Sequence, residues 1–200
     1  MQLRDDVLRA FFAVELDDVS RRAAHAVAQQ LAGAPGGEAV RWVRPESYHV
    51  TLRFLGTTPR DRVAGLVAAA LHAARSITPF ELRLGALAGL PSQGPRAIVL
   101  DVAPHEPIAA LATQVESAVV AVGFAAEPRA FRPHLTLGRI RVRRGRVPRL
   151  DPTISSAHAA PFAVTSFALF QSDLDPGGAR YTPLERIALG PQGPRPRSGP

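Results

Sequence analysis

The 200-residue chain has no cysteine, no lysine and no asparagine. Without cysteine there is no disulfide framework and no thiolate chemistry, an absence that fits a cytoplasmic location. Apolar runs are short and broken by Arg, Pro or Gly, so no membrane span is expected. The segment Met1 to Leu8 carries Asp5 and Asp6 and lacks a cationic stretch followed by a long apolar one, which does not read as a secretory signal. With lysine absent, all 24 basic residues are arginine, and the net charge is +7 at a sequence pI of about 11.3. Arginine-only basicity is what a GC-rich genome would leave by coding bias. The functional reading is an anionic partner, because the guanidinium binds phosphate through a rigid bidentate fork. The two readings are compatible. The apolar fraction, 46 %, is ordinary for a globular chain, and the length suits one domain, single or two-lobed.

What the chain does contain is a pair of tetrapeptides, His49-Val50-Thr51-Leu52 and His134-Leu135-Thr136-Leu137, 85 positions apart (134 − 49). Each lies in an apolar run that reads as a strand. Side chains alternate faces along a strand, so each copy sets an imidazole and a hydroxyl on one face and apolar residues on the other. Two copies across a cleft make a layout for acid–base chemistry. Histidine, with an unperturbed pKa near ~6.5, can take a proton in one copy and donate one in the other. The Thr hydroxyls can donate to non-bridging oxygens where negative charge concentrates. In-line displacement at phosphorus requires that combination.

Around the motifs, Arg9 to Leu16 reads as a first strand, followed by a helix capped at Asp17 or Asp18 and running to about Leu31, apolar at Ala24, Val27, Ala28 and Leu31. Gly33 to Gly37 breaks the chain. Short and long strands follow at Val40 to Val43 and at Tyr48 to Leu55, the latter stopped at Gly56. A helix spans Thr58 to Ala74, strands span Phe80 to Leu87 and Ala97 to Val102, and a third helix spans Glu106 to Val122. The second motif strand runs from His134 to Arg141. Phe162 to Ser172 and Arg180 to Leu189 read as a hairpin about Asp175 to Gly178. A helix precedes a His-x-Thr strand in each half, which suggests an α+β class of two related lobes whose sheets face one another. Residues 1–189 form one bilobal domain on this reading, and 190–200, rich in Pro, Gly and Arg, a disordered tail. The run Arg139, Arg141, Arg143, Arg144, Arg146, Arg149 follows the second motif and reads either as a solvated loop or edge strand or as a patch steering a polyanion.

Other chemistries fit less well. A metal site wants three or four ligands at close spacing, and neither motif strand has a second His or a carboxylate at a ligand-like offset. The remaining histidines, His25, His72, His105 and His158, show no pattern. No G-x-S-x-G marks a nucleophilic serine. A single His-x-Thr in a strand is most often structural; two in matching contexts argue against chance.

The stretches Trp42 to Gly56 (WVRPESYHVTLRFLG) and Phe131 to Arg139 (FRPHLTLGR) resemble the paired motifs of the 2H phosphoesterase superfamily, and within it the bacterial RNA 2′,3′-cyclic phosphodiesterases, also described as 2′–5′ RNA ligases. Arg9 to Leu16, Ser172 to Leu174 and Gly178 to Tyr181 are similar to the same family, so the resemblance spans about residues 9 to 189. It implies a bilobal α+β fold, two pseudo-symmetric lobes of antiparallel sheet with helices on the outside and a central basic cleft, and a monomeric hydrolase with no cofactor or metal, acting on RNA ends bearing a 2′,3′-cyclic phosphate, or on cyclic nucleotides, to give a 2′-phosphomonoester. It implies His134 as proton acceptor, His49 as proton donor, and Thr51 and Thr136 as holders of phosphoryl oxygens. By strand parity Arg53 and Arg132 share the catalytic face. Arg139 has the opposite parity, yet an Arg there recurs in the family motif, and a bulge would turn it inward. One of Arg132 and Arg139 is expected on phosphate. Phe12 is a base-stacking candidate or a core aromatic. The alternatives are 2′–5′ ligation of RNA halves in the same cleft and an RNA-binding module with an idle site.

Overall fold

Alternation of apolar and polar residues builds nine strands and three helices in this computed structural model, which describes residues 6–141, 148–150, 160–175 and 178–190. In chain order they are β1 Val7–Glu15, α1 Asp18–Ala32, β2 Val40–Trp42, β3 His49–Pro59, α2 Val63–Ala74, β4 Phe80–Leu90, β5 Ala97–Ala103, α3 His105–Ala121, β6 His134–Ile140, β7 Phe162–Val164, β8 Ser166–Asp175 and β9 Gly178–Ala188. Asp17 caps α1, its Oδ1 accepting from the Ser20 amide at 2.7 Å, and the expected stripe Ala24, Val27, Ala28 and Leu31 is buried. No helix among the described residues is long and apolar enough to cross a membrane.

Among the described residues all strand pairings are antiparallel, in the order β7-β4-β5-β6-β3-β1-β8-β9, with β2 also on β6. The α+β class and its antiparallel sheets are as expected. The two halves, β3-β1-β8-β9 and β7-β4-β5-β6, meet where the motif strands pair, at Val50 opposite Leu135. The helices exchange halves: α1 leaves β1 and packs over β2, β4 and β6, while α3 leaves β5 and packs over β3, with α2 against α3 and β9. All three helices cover one face, whose core includes Phe12, Val50, Leu52, Leu100, Leu111, Val115, Leu135 and Leu137. The opposite face carries a small separate cluster of Phe11, Ala13, Ala168 and Phe170 with Tyr181 packed on it. The consecutive Phe11 and Phe12 point to opposite faces, as the pleat requires.

Three boundaries differ from the sequence expectation. β3 does not stop at Gly56: the glycine takes φ +71° and the strand continues, with Arg9 opposite Thr57 and Val7 opposite Pro59. The helix expected from Thr58 starts at Val63, after a 3₁₀ turn over Arg60–Arg62. Pro59 disfavours helical geometry at the residue before it, and Thr58 is fully buried as part of the strand. The run Phe162 to Ser172 is two strands, β7 pairing with β4 and β8 with β1, so the chain changes halves at Thr165. β8 and β9 form the expected hairpin. The tail at 191–200 and Arg143, Arg144 and Arg146 lie outside the described residues.

Candidate active site

Val50 opposite Leu135 in an antiparallel pair sets His49 toward Thr136 and Thr51 toward His134, on the face away from the helices. The two imidazoles are therefore diagonal neighbours, each beside a hydroxyl from the other strand. Each ring is fixed in the same way. His49 Nδ1 lies 2.8 Å from the Ser47 carbonyl and His134 Nδ1 2.7 Å from the Arg132 carbonyl, two residues upstream in both cases. A carbonyl can only accept, so both Nδ1 atoms carry a proton and both Nε2 atoms remain for the open face.

Each motif strand then carries a bulge just beyond its threonine. On β3, Thr51 lies opposite Ala13 and Arg53 opposite Phe12, which leaves Leu52 as an extra residue. On β6, Thr136 lies opposite Val99 and Gly138 opposite Ile98, which leaves Leu137 extra. An extra residue inverts the alternation beyond it. The consequence for the arginines is opposite in the two strands.

Arg53 is turned off the site face toward the helices, contrary to simple parity. Its Nε donates to Glu116 of α3, Nη1 to the Phe54 carbonyl and Nη2 to the Ala125 carbonyl, and Glu127 lies 3.8 Å from Nη1. Its donors are engaged in tying α3 and the following loop to β3, which removes it from the phosphate candidates. Arg139 is turned onto the site face, and its charge acts on both His49 and Tyr181. Arg132 is exposed beside His134. Phe12 is a core aromatic, fully buried against Phe167 with ring centroids 5.9 Å apart, and does not face the site.

The residues that parity missed surround His49. The ring of Phe11 lies 4.9 Å from the imidazole and that of Tyr181 5.0 Å, edge-on. Phe170 stacks on Phe11 at 5.3 Å and Phe54, half exposed, lies 5.7 Å from it. Phe54 reaches this face because of the same bulge at Leu52 that turns Arg53 away: it lies opposite Phe11, as Arg53 lies opposite Phe12. Burial among these rings pulls the His49 pKa from 6.5 to about 4; the Ser47 carbonyl opposes this, and the charges of Arg139 and His134 add to it. No group of three or more His, Cys, Asp or Glu side chains suited to a metal ion occurs among the described residues.

With its value lowered to about 4, His49 is neutral near pH 7 before substrate binds. Because its folded value lies below its ordinary one, the unfolded chain binds more protons between pH 6.5 and 4. The stability this contributes is complete above about pH 6.5 and is lost as pH falls toward 4, on the order of 3 kcal/mol. Urea midpoints should therefore fall between pH 7 and 4.5 in the wild type and fall less in His49→Gln. By NMR titration, Arg139→Ala should move the His49 midpoint upward, since a repelling charge is removed; an unmoved midpoint would show that Arg139 does not bear on the ring.

A family model described as the 2′-5′ RNA ligase superfamily matches residues 19–176. A Thermus thermophilus protein named RNA 2′,3′-cyclic phosphodiesterase is 30 % identical over 200 residues, covering 96 % of each chain. One of the same name from Archaeoglobus fulgidus is 29 % identical over 178 residues, covering 88 % of this chain and 98 % of its own. Among solved structures, TT0787 of Thermus thermophilus superposes with a TM-score of 0.77 at 29 % identity, over 92 % of this chain and all of that one. Escherichia coli LigT complexed with 3′-AMP superposes with a TM-score of 0.73 at 28 % identity, over 92 % of this chain and 99 % of that one.

Proposed function

The chain belongs to the 2′-5′ RNA ligase superfamily, and on that premise we propose that it hydrolyses a terminal 2′,3′-cyclic phosphate of RNA to a 2′-phosphomonoester by two-histidine acid–base catalysis. The observation that carries the proposal is the matched pair of imidazoles, each with Nδ1 held by a backbone carbonyl and Nε2 left for the open face. The phosphate sits between them. His134 Nε2 takes a proton from water, the water oxygen bonds to phosphorus, the P–O3′ bond breaks, and His49 Nε2 delivers its proton to O3′. Thr51 and Thr136 donate to the non-bridging oxygens, and Arg139 balances their charge.

The donor role requires a proton that His49, with its value lowered to about 4, lacks near pH 7 before substrate binds. The substrate supplies the remedy. An anionic phosphate beside Nε2 favours the charged ring and opposes the effects of burial and of Arg139. Binding of a 2′-nucleotide near pH 7 should therefore take up protons, measurable by calorimetry in buffers of different ionisation enthalpy. Proton release on binding would contradict the assignment.

The exposed ring of Phe54, next to Phe11 and on the His49 side where the leaving O3′ of the ribose lies, is the base-stacking surface in this account. Stacking on an aromatic is worth roughly 1–3 kcal/mol per base, so Phe54→Ala should raise KM for a cyclic nucleotide about 5- to 150-fold and leave stability nearly unchanged. Phe12→Ala should do the reverse, costing about 3–5 kcal/mol of stability.

Turnover is tested with an oligoribonucleotide ending in a cyclic phosphate, with and without chelator, followed by end-group analysis. A 2′-phosphate end formed equally in both is the expected product. A 3′-phosphate end, or activity lost with chelator, would reject the proposal.

A further inference from the structure

Arg41 of β2 lies directly opposite Arg139 of β6. Opposed residues of an antiparallel pair share a face, so both side chains rise from the open face of the sheet. The row is anchored from the other side. Val40 is buried in the core, Trp42 packs against it, and the Trp42 indole donates to the Gly37 carbonyl at 3.1 Å. A Cβ at Gly138, the partner of Trp42, would come within 2.5 Å of Val40 Cγ1, so glycine is what lets β2 seat this closely. The pairing continues one residue further. The Arg141 amide donates to the Ala39 carbonyl at 2.8 Å, and alternation brings the exposed Arg141 to the face of Arg139.

Like charges placed directly opposite in a sheet destabilise it. Arg21, Arg53, Arg129 and Arg186 each pair with a carboxylate. Among the described residues neither Arg41 nor Arg139 does. A bound anion would supply the counter-charge. Hydrolysis as described uses only one of the two: Arg139 is the arginine whose charge acts on His49 and Tyr181. Arg41 is exposed one strand away and has no part in that reaction.

A cyclic mononucleotide offers one phosphate. An RNA end offers a second, the phosphodiester on the 5′ side of its last nucleotide. We infer that Arg41, with Arg141 beside it, forms a subsite for this second phosphate, so that the protein favours a nucleotide phosphorylated at its 5′ oxygen over one that is not. The inference rests on the proposed hydrolysis, because that reading places the first phosphate on the two histidines and Arg139. A guanidinium fork suits a pair of phosphodiester oxygens. Such a contact fixes register without reading a base, so the selection is for a phosphate and not for a sequence.

The test compares adenosine 2′,3′-cyclic phosphate, the same compound bearing a 5′-phosphate, and a diadenylate ending in a cyclic phosphate, on wild type, Arg41→Ala and Arg41→Lys. In wild type the two compounds with a 5′ phosphate should show kcat/KM roughly tenfold above the first, as one charge-assisted contact provides. Arg41→Ala should lose that advantage through KM, Arg41→Lys should regain part of it, and the compound without a 5′ phosphate should stay within about twofold of wild type. KM for the diadenylate should also rise more steeply with salt than KM for the cyclic mononucleotide, by an exponent of about 0.7, and Arg41→Ala should abolish the difference. An equal loss on all three compounds would assign Arg41 to the reacting phosphate and overturn the subsite. So would an advantage confined to the diadenylate, because the second nucleoside would then be the group bound. Calorimetry with the corresponding 2′-phosphates separates the subsite from the reaction it rests on. An Arg41-dependent gain from the 5′ phosphate, in a protein that hydrolyses none of the three, would support the subsite and remove the proposed function. Hydrolysis of all three with equal KM would do the opposite.

Discussion

Replacing His134 by alanine should lower kcat by roughly 10²- to 10⁴-fold on a cyclic-phosphate substrate while KM changes little. The ring is half exposed and held through Nδ1 by the carbonyl of Arg132, just before β6, so its loss removes a proton acceptor without unsettling a core. His49→Ala should cost as much in rate, and the double variant should fall well short of the product of the two losses, because the groups act in one step. The wild-type profile of kcat/KM against pH should be bell-shaped with its acidic limb set near the His49 value of about 4, since that quantity reports the free enzyme. A single-histidine variant should lose one limb. Full activity in either alanine variant would end the acid–base account.

Arg53→Ala should destabilise the fold by about 2–3 kcal/mol and leave kcat within a few-fold. Its side chain is 10 % exposed and that of Glu116 28 %, so removing the guanidinium strands two partly buried carboxylates, Glu116 and Glu127, and two carbonyls. Breaking a fully buried pair costs about 3–5 kcal/mol, and the exposure of the glutamates reduces this. Arg53→Lys should recover only part of the loss, because an ammonium cannot span three separate acceptors as the guanidinium does. Urea denaturation checks the stability and a kcat measurement the activity. A large rise in KM with unchanged stability would mean that Arg53 reaches the substrate after all.

These contrasting fates of Arg53 and Arg139 mark where the sequence stops being informative. The helix α1, its Asp17 cap and its buried stripe follow from local composition and a 3.6-residue period, and the His-x-Thr faces follow from strict alternation. The resemblance carried by the two motifs pointed to the family that the comparisons then identified. Bulges are different. They arise from how β3 registers against β1 and β6 against β5, contacts between segments far apart in sequence, so parity counted within one strand put Arg53 on the wrong face and Arg139 on the other. The same limit misled the choice between Phe11 and Phe12. Adjacent residues of one type must face opposite ways, but only pairing with β8 and the helices decides which meets His49. The split at Thr165 and the pairing of Arg41 with Arg139 were likewise set by distant strands.

All of the functional reading depends on one phosphate lying between the two Nε2 atoms, on the face to which the β6 bulge brings Arg139. A crystal structure with a 2′-nucleotide product bound tests this directly. The phosphate should contact both imidazoles, the Thr51 and Thr136 hydroxyls and the Arg139 guanidinium, with Arg53 still bound to Glu116. A phosphate held away from either histidine, or one that draws Arg53 off its glutamate, would contradict the account.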